Sequence, residues 1–161
     1  MEERLRVLKV MNEVTSRLDL NEFARMVGLT PKQTVEHMQE LVKAGLVRKV
    51  GNGYGITEKG RTALRAFMQV PKGMEFQFYS GIGQPAGFAA KSLKEFYETV
   101  KQVAVDSLEF HLYRGDFENW VRAVFKDAAF ADEFKNMEKV QLRGEALRKE
   151  IIKAAEARYA F

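Results

Sequence analysis

The sequence predicts a mainly α-helical protein that has two domains and a small β-hairpin. Three observations lead to this prediction. Apolar residues recur at helical spacing along most of the 161-residue chain. Residues 46–56 hold two β-rich runs around a glycine turn, which is typical of a hairpin. Pro71 and Gly73 interrupt the helical pattern, so we place the domains at 1–70 and 71–161.

The first predicted element is an amphipathic helix over residues 2–18. Its apolar stripe has the spacing of one helix face and consists of Val7, Val10, Met11, Val14 and Leu18. Such a stripe covers either the core of its own domain or the interface of a dimer, and the sequence leaves both interpretations open.

Two short helices follow, at 20–27 and at about 31–44. Asp19 is the expected N-cap of the first, and Gly28 ends it. Thr30, Pro31 and Gln33 give the second a capping box with proline at its first position. Its expected inner stripe is Val35, Met38, Leu41 and Val42. Two capped helices joined by a short glycine-containing turn form a helix–turn–helix pattern.

The hairpin at 46–56 follows directly, and Thr57 then caps a fourth helix. A hairpin in this position is a wing. The segments LVKAGLVRK and ITEKG lie in the register of prokaryotic winged helix transcription regulators, which residues 3–68 resemble. The expected fold class is therefore an N-terminal winged helix domain plus a C-terminal α-helical domain. The resemblance implies binding to double-stranded DNA.

The excess positive charge lies in the first domain. Residues 1–70 hold 12 Lys and Arg against 8 Asp and Glu, whereas residues 71–161 hold 14 of each. A polyanion should therefore bind the first domain.

A recognition helix places the outward residues of its amino end against bases, and a wing contacts the backbone. The candidates for DNA contact are Lys32, Gln33, Thr34 and His37 on the helix, and Arg48, Lys49, Asn52 and Tyr54 on the wing. Glu36 and Glu40 on the same helix oppose phosphate binding. They favour the alternative that the winged helix is the scaffold of a protein-interaction adaptor.

The second domain is predicted to be mostly helical. Residues 75–78 alternate and indicate a short extended segment, and the glycine-rich residues 81–87 predict an irregular loop. Ser92, Asp106 and Asp116 are the expected N-caps of the following helices. A last amphipathic stretch, 128–160, should contain a break near 139–144.

Residues 107–127, SLEFHLYRGDFENWVRAVFKD, resemble an uncharacterised, mostly archaeal helical domain family, and the resemblance extends over residues 76–158. The matching residues are His111, Gly115, Asp116, Phe117, Trp120 and Asp127. The resemblance implies a fold unit and no reaction. Two interpretations stay open. Either His111 is a core residue bonded to a carboxylate or a carbonyl, or a pocket for a small effector or an acidic peptide is lined by His111, Tyr113, Arg114, Asp116 and Trp120.

The chain contains no cysteine and two histidines, which excludes disulfides and thiolate-bound metal and favours a reducing cytoplasm. No nucleophile–base pair is recognisable, so we expect neither enzymatic activity nor a cofactor or metal. No apolar run reaches the length of a membrane span or of a signal peptide. The sequence thus predicts a cytoplasmic, homodimeric DNA-binding regulator whose second domain dimerises or senses an effector.

Overall fold

A computed structural model confirms the mainly α-helical fold class and describes residues 2–13, 20–51 and 53–161. The chain divides into two compact units, 1–64 and 65–161. The sequence predicts the domain boundary at residue 70, but the boundary between the units lies earlier, after residue 64. Ala66 is already part of the second unit's core. Asn52, Asp19, Val14 and Leu18 lie outside the described residues.

In the described part of the first unit, three helices are followed by a hairpin and a further helix. Its elements are α1 (Glu2–Glu13), α2 (Leu20–Val27), α3 (Pro31–Lys43), β1 (Val47–Val50), β2 (Gly53–Ile56) and α4 (Glu58–Arg65), of which Arg65 belongs to the second unit. The strands are antiparallel, and Val47 pairs with Ile56. The predicted hairpin at 46–56 is thereby confirmed.

The described part of the α1 stripe is used inside the first unit. Val7 of the stripe and Leu8, which lies beside it, are buried, whereas Val10 and Met11 are half-buried. The other large buried side chains of this unit come from α2, α3, β1 and the residue before β1, and include Phe23, Val27, Met38, Leu41, Leu46 and Val47. The interpretation that α1 covers the core of its own domain therefore holds for Val7 and Leu8.

The capping box at the start of α3 is confirmed. The Thr30 hydroxyl accepts a hydrogen bond from the Gln33 backbone N–H (3.2 Å), and the Gln33 side-chain oxygen accepts one from the Thr30 N–H (3.1 Å). Pro31 is the first helical residue, where its missing N–H costs no helical bond. Three adjacent residues thus set where α3 begins.

A close contact between backbones joins α4 to the hairpin. The Thr57 hydroxyl caps α4 by accepting from the Gly60 N–H (3.0 Å), and it donates to the Gly45 carbonyl (2.7 Å). Gly60 packs against the carbonyl oxygen of Leu46, which a Cβ at this position would overlap. The threonine and the glycine of the ITEKG segment therefore have separate structural roles.

The second unit contains a hairpin and five helices among its described residues. The elements are β3 (Phe76–Gly81), β4 (Gln84–Ala90), α5 (Leu93–Val100), α6 (Val105–Arg114), α7 (Asp116–Phe125), α8 (Ala128–Lys139) and α9 (Gly144–Tyr159). The predicted break near 139–144 separates α8 from α9 and is confirmed. β3 and β4 are antiparallel, with register shifts on either side of Tyr79.

The prediction of an irregular loop over residues 81–87 is wrong. Only Ile82 and Gly83 connect the strands, and the following residues form β4 despite Pro85 and Gly87. β4 lies at the edge of a two-stranded sheet with an irregular register, which is where proline and glycine are tolerated in a strand. Local composition gave no sign of this because pairing with β3 stabilises the strand.

One of the three predicted N-caps is confirmed. Ser92 caps α5 by accepting from the Glu95 N–H (3.1 Å). Asp106 is wrong, because α6 begins after Ala104 and Asp106 lies within its first turn. Asp116 is also wrong, because Gly115, at φ +76°, both ends α6 and precedes α7. The Asp116 carboxylate instead faces side chains of α6.

Aromatic rings dominate the core of the second unit. Phe76 and Phe78 of β3 lie with ring centroids 4.8 Å apart, and Phe117 of α7 lies 5.1 Å from Phe76. Phe96, Phe130 and Phe134 extend the cluster and are almost fully buried. Aromatic contacts of this kind add about 0.5–1.5 kcal/mol per pair to the free energy of burial. The hairpin and α7 are thus held in place beside a groove at the surface of the unit.

Candidate nucleic-acid interface and candidate pocket

The amino end of α3 presents Lys32 and Gln33 to solvent. The side-chain oxygen of Gln33 accepts from the Thr30 backbone in the capping box. This leaves the NH₂ group of Gln33 as the part that can donate to a base edge. The capping box therefore fixes the Gln33 side chain at the first turn of the helix.

The expectation that Thr34 faces outward is wrong. Thr34 is 0% exposed, and its hydroxyl donates to the Thr30 carbonyl (2.9 Å). The buried stripe of α3 is Thr34, Met38 and Leu41, while Val42 is 39% exposed. The sequence predicts an inner stripe that includes Val35 and Val42 beside Met38 and Leu41. A helix face defined by that stripe does not include Thr34. A threonine hydroxyl that bonds to the carbonyl four residues earlier can be buried inside a helix.

His37 contacts α1. Its Nε2 lies 2.9 Å from a carboxylate oxygen of Glu3, and its side chain is only 20% exposed. The Nδ1 atom is buried, has no hydrogen-bond partner among the described residues and lies 3.8 Å from Glu40. Contact between His37 and DNA would therefore require the ring to leave Glu3.

The hairpin presents two cations. Arg48 and Lys49 of β1 are exposed and pair across the ribbon with Gly55 and Tyr54. Successive side chains on a strand point to opposite faces, so Arg48 and Lys49 point away from each other. The Tyr54 side chain is also exposed, at 42%. Asn52, the remaining predicted wing residue, lies outside the described residues.

The exposed cations differ in whether a carboxylate is near them. Arg4 lies 3.8 Å from Glu40, and Arg61 pairs with Glu58. Among the described residues, no carboxylate lies within 4.0 Å of the charged nitrogens of Lys32, Arg48 or Lys49. We call these three residues the cation set, and their positive charges are available to an external anion.

The second unit contains a groove of about 450 Å³ between β3, the turn after it, α6 and α7. Four predicted pocket residues, His111, Arg114, Asp116 and Trp120, line this groove. Tyr113 does not, and that prediction is wrong. Its hydroxyl donates to the Leu142 carbonyl (2.7 Å), because a residue two positions after His111 lies on another side of the helix.

Sequence reasoning missed several lining residues. They are Glu75, Gln77 and Tyr79 of the hairpin segment, Phe110 of α6 and Asn119 of α7. One signal could have found two of them. Glu75 and Gln77 alternate with the buried Phe76 and Phe78, which places both polar residues on the other face of the strand.

Both ring nitrogens of His111 are engaged. The backbone N–H of Tyr79 donates to Nε2 (2.8 Å), so the proton of the neutral ring is on Nδ1 and is donated to Asp116 (2.8 Å). Burial lowers the pKa of His111 below its ordinary 6.5, although the hydrogen bond to Asp116 acts to raise it. The ring is therefore neutral and lacks a free nitrogen that could accept a substrate's proton.

Two side chains of α6 hold the edge of β3. His111 accepts from the Tyr79 N–H, and the Ser107 hydroxyl donates to the Tyr79 carbonyl (2.8 Å). Residues four apart lie on the same helix face, which lets both side chains reach one strand residue. The carboxylate partner expected for a structural His111 is thus confirmed, and the same ring also forms part of the groove wall.

Asp127, the last of the six pattern residues that begin at His111, is buried in a polar network. Its carboxylate accepts from the Arg158 guanidinium (2.9 Å), the Tyr159 hydroxyl (2.6 Å) and the Phe130 N–H (3.2 Å). Burial acts to raise the pKa of Asp127, but these hydrogen bonds outweigh it and hold the pKa below its ordinary value. Asp127 therefore caps α8 and binds it to the end of α9.

A comparison of the chain with protein-family models, curated proteins and solved structures found no match. The described residues include no group of three or more His, Asp or Glu side chains that could hold a metal ion. None of the described helices has the length and apolar character needed to cross a membrane. Any assignment of function therefore depends on the residues and geometry given above.

Proposed function

We propose that the first unit is a winged helix domain that binds double-stranded DNA and that the protein is a cytoplasmic transcription regulator. α3 would lie in the major groove as the recognition helix, and the β1–β2 hairpin would follow the DNA backbone as the wing. The observation that carries this proposal is the cation set, which has no carboxylate partner among the described residues and lies on these two elements.

The order of elements supports the same proposal. α2 and α3 are joined by a short turn that contains Gly28, and the antiparallel hairpin follows α3 after Gly45. The first half of the chain also carries the excess positive charge. An element order of this kind places the amino end of the second helix and the hairpin tip within reach of one duplex.

The proposed contacts have separate roles. Lys32 and the NH₂ group of Gln33 would contact base edges, and a bidentate contact of Lys32 with a guanine would contribute about 1–3 kcal/mol of discrimination. Arg48, Lys49 and Tyr54 would contact phosphates, which sets affinity and register. The buried Thr34 takes no part in these contacts.

We further propose that the protein acts as a homodimer. A two-fold dimer reads a nearly palindromic site, with half-sites about one helical turn apart. In this proposal the second unit provides the dimer contact or binds an effector. The groove lined by His111 and Trp120 supports the second role, because it offers a cavity of a size that small molecules occupy.

Selection from a randomised duplex library tests DNA binding by the full chain. We expect an enriched sequence with inverted symmetry, and we expect Lys32→Ala to relax the preference at one or two positions while Lys49→Ala weakens all sequences alike. Lys135→Ala, which removes an exposed lysine of α8, is the matched control. If no sequence is enriched and no duplex is retained at low salt, the proposal is wrong.

The alternative function is a protein-interaction adaptor without enzymatic activity. It is favoured by the exposed carboxylate of Glu36 on α3 and by two exposed apolar side chains, Met26 (56%) and Val42 (39%). Exposed acidic and apolar groups on α2 and α3 suit a protein partner better than phosphate. Retention of a protein partner that Met26→Ser weakens, without any binding of DNA, would support this alternative.

A further inference from the structure

Aromatic rings form much of the wall of the groove in the second unit. Tyr79, Phe110 and Trp120 are half-buried and line the cavity. The indole N–H of Trp120 donates to the Met74 carbonyl (2.7 Å), so its polar atom is already bonded within the unit. These rings therefore offer a ligand mainly apolar and π surface.

The charged groups of the groove carry a net negative charge. Asp116 lies 3.3 Å from the Nε of Arg114, whose guanidinium also lies 4.8 Å from the centre of the Phe110 ring. This pair is neutral as a whole. Glu75 accepts a hydrogen bond from the Gly73 N–H (2.8 Å) and is half-buried. Among the described residues, no Lys or Arg nitrogen lies within 4.0 Å of Glu75.

Because His111 is neutral, it does not change the net negative charge of the groove. Its Nε2 accepts from Tyr79 and its Nδ1–H donates to Asp116, so the ring adds no positive charge to the wall. The side-chain amides of Gln77 and Asn119 are exposed at the rim and can hydrogen-bond to either charge type. Glu75 therefore determines whether the groove prefers a cationic or an anionic ligand.

We propose that this groove binds a small organic cation, an ammonium or guanidinium group on an apolar body, with Glu75 as the countercharge. Aromatic faces attract cations through the ring quadrupole, and the attraction adds to that of a carboxylate. A volume of about 450 Å³ is in the range of small-molecule sites. An acidic ligand would instead meet the uncompensated charge of Glu75.

This inference names the ligand of the effector site and rests on that part of the proposed function. Its test uses no DNA, so its failure and the failure of DNA binding are distinguishable. Trp120 is the single tryptophan of the chain and lies in the groove wall. Its fluorescence therefore reports occupancy of the groove directly.

The experiment titrates the full chain with three probes of nearly the same shape and different charge: phenethylamine, 2-phenylethanol and phenylacetate. We expect a saturable change of Trp120 emission with phenethylamine at neutral pH. The affinity for phenethylamine should exceed that for phenylacetate by about tenfold or more, as one favourable charge contact provides. Equal or tighter binding of phenylacetate would overturn the proposal, as would the absence of saturable binding of phenethylamine.

A charge-neutralising variant tests the role of Glu75. Glu75→Gln keeps the side-chain shape and should weaken phenethylamine binding about tenfold, to the level of 2-phenylethanol. Glu133→Gln, at an exposed carboxylate of α8, is the matched control and should bind like the wild type. Circular dichroism checks that both variants are folded. Unchanged affinity in folded Glu75→Gln would overturn the proposal.

Discussion

The two units differ in what the polar side chains of their candidate functional residues contact. In the second unit, His111, Ser107 and Asp127 all bond to other groups of the protein. In the first unit, Lys32 and Arg48 are exposed and lack a carboxylate partner among the described residues. The conspicuous pattern around His111 thus has mainly a structural role, whereas Lys32 and Arg48 of the first unit are available to an external partner.

The sources of stability differ in the same way. The second unit has a large aromatic core around Phe76, Phe96 and Phe117, and buried polar bonds tie its elements together. Among the described residues, the first unit has a smaller set of buried side chains, together with helix caps and the close approach at Gly60. Substitutions in the two units should therefore lower the free energy of unfolding by different amounts, according to the buried interactions that each one removes.

The largest effect is expected at Asp127. Asp127→Ala removes the shared acceptor of Arg158 and Tyr159 and the cap of α8, so it should lower the free energy of unfolding by about 3 kcal/mol. Urea unfolding followed by Trp120 fluorescence measures this, since Trp120 is in the same unit. Asp132→Ala removes an exposed partner of Arg122 and should cost less than about 1 kcal/mol. Equal losses of unfolding free energy in both variants would contradict a larger stabilising role for the Asp127 network than for an exposed ion pair.

A smaller effect of unusual sign is expected at Gly60. Glycine to alanine in a helix normally stabilises it by about 1 kcal/mol. Here the new Cβ would overlap the Leu46 carbonyl and lie 2.7 Å from Ile56, so Gly60→Ala should destabilise the first unit by about 2 kcal/mol. Amide hydrogen exchange in α3 and α4 measures the change. Gly53→Ala, whose nearest contact would be 3.8 Å away, is the control, and a stabilised Gly60→Ala would contradict the packing of α4.

The smallest effect is the pH dependence of the second unit. Because burial lowers the pKa of folded His111 below 6.5, the unfolded chain takes up a proton first as the pH falls. The stabilisation that neutral His111 gives to the folded second unit is complete above pH 6.5. It is lost as the pH falls towards the pKa of folded His111, by at most about 1.4 kcal/mol per pH unit. His111→Gln should remove this dependence.

The measurement is the urea midpoint of the Trp120 transition between about pH 7.5 and 5, a window around the ordinary histidine pKa. His37→Gln, at the other histidine of the chain, is the matched control and should retain the wild-type slope. A slope that persists unchanged in His111→Gln would mean that another group is responsible for it.

The prediction for the start of α3 rests on neighbouring residues and agrees with the structure. Thr30, Pro31 and Gln33 specify the start of α3 because all three interactions lie within one turn. The predicted break near 139–144 likewise agrees with the end of α8 and the start of α9. In both cases the physical cause lies within a few residues of the observation.

Predictions that depend on distant partners fail. Asp116 resembles an N-cap, but its partner His111 lies on the preceding helix, across Gly115. Strand β4 exists because β3 pairs with it, although its glycines and Pro85 suggest a loop. Thr34 was assigned to the wrong face because two valines, 35 and 42, outweighed a small polar residue in the apolar pattern.

The salt dependence of DNA affinity tests the central claim that the cation set of the first unit binds DNA. Fluorescence anisotropy would give the dissociation constant over a series of salt concentrations for the wild type and for Lys32→Ala/Arg48→Ala/Lys49→Ala. A second triple variant, Lys135→Ala/Lys139→Ala/Lys153→Ala, loses the same charge from exposed positions of the second unit.

Each lost phosphate contact lowers the log–log salt slope by about 0.9. We therefore expect the magnitude of the slope of the first triple variant to fall by about 1.8, since two of its three cations contact phosphates and the third contacts a base, and the slope of the second to stay at the wild-type value. Equal slopes in all three proteins, or an equal reduction in both variants, would contradict the assignment of DNA binding to the first unit.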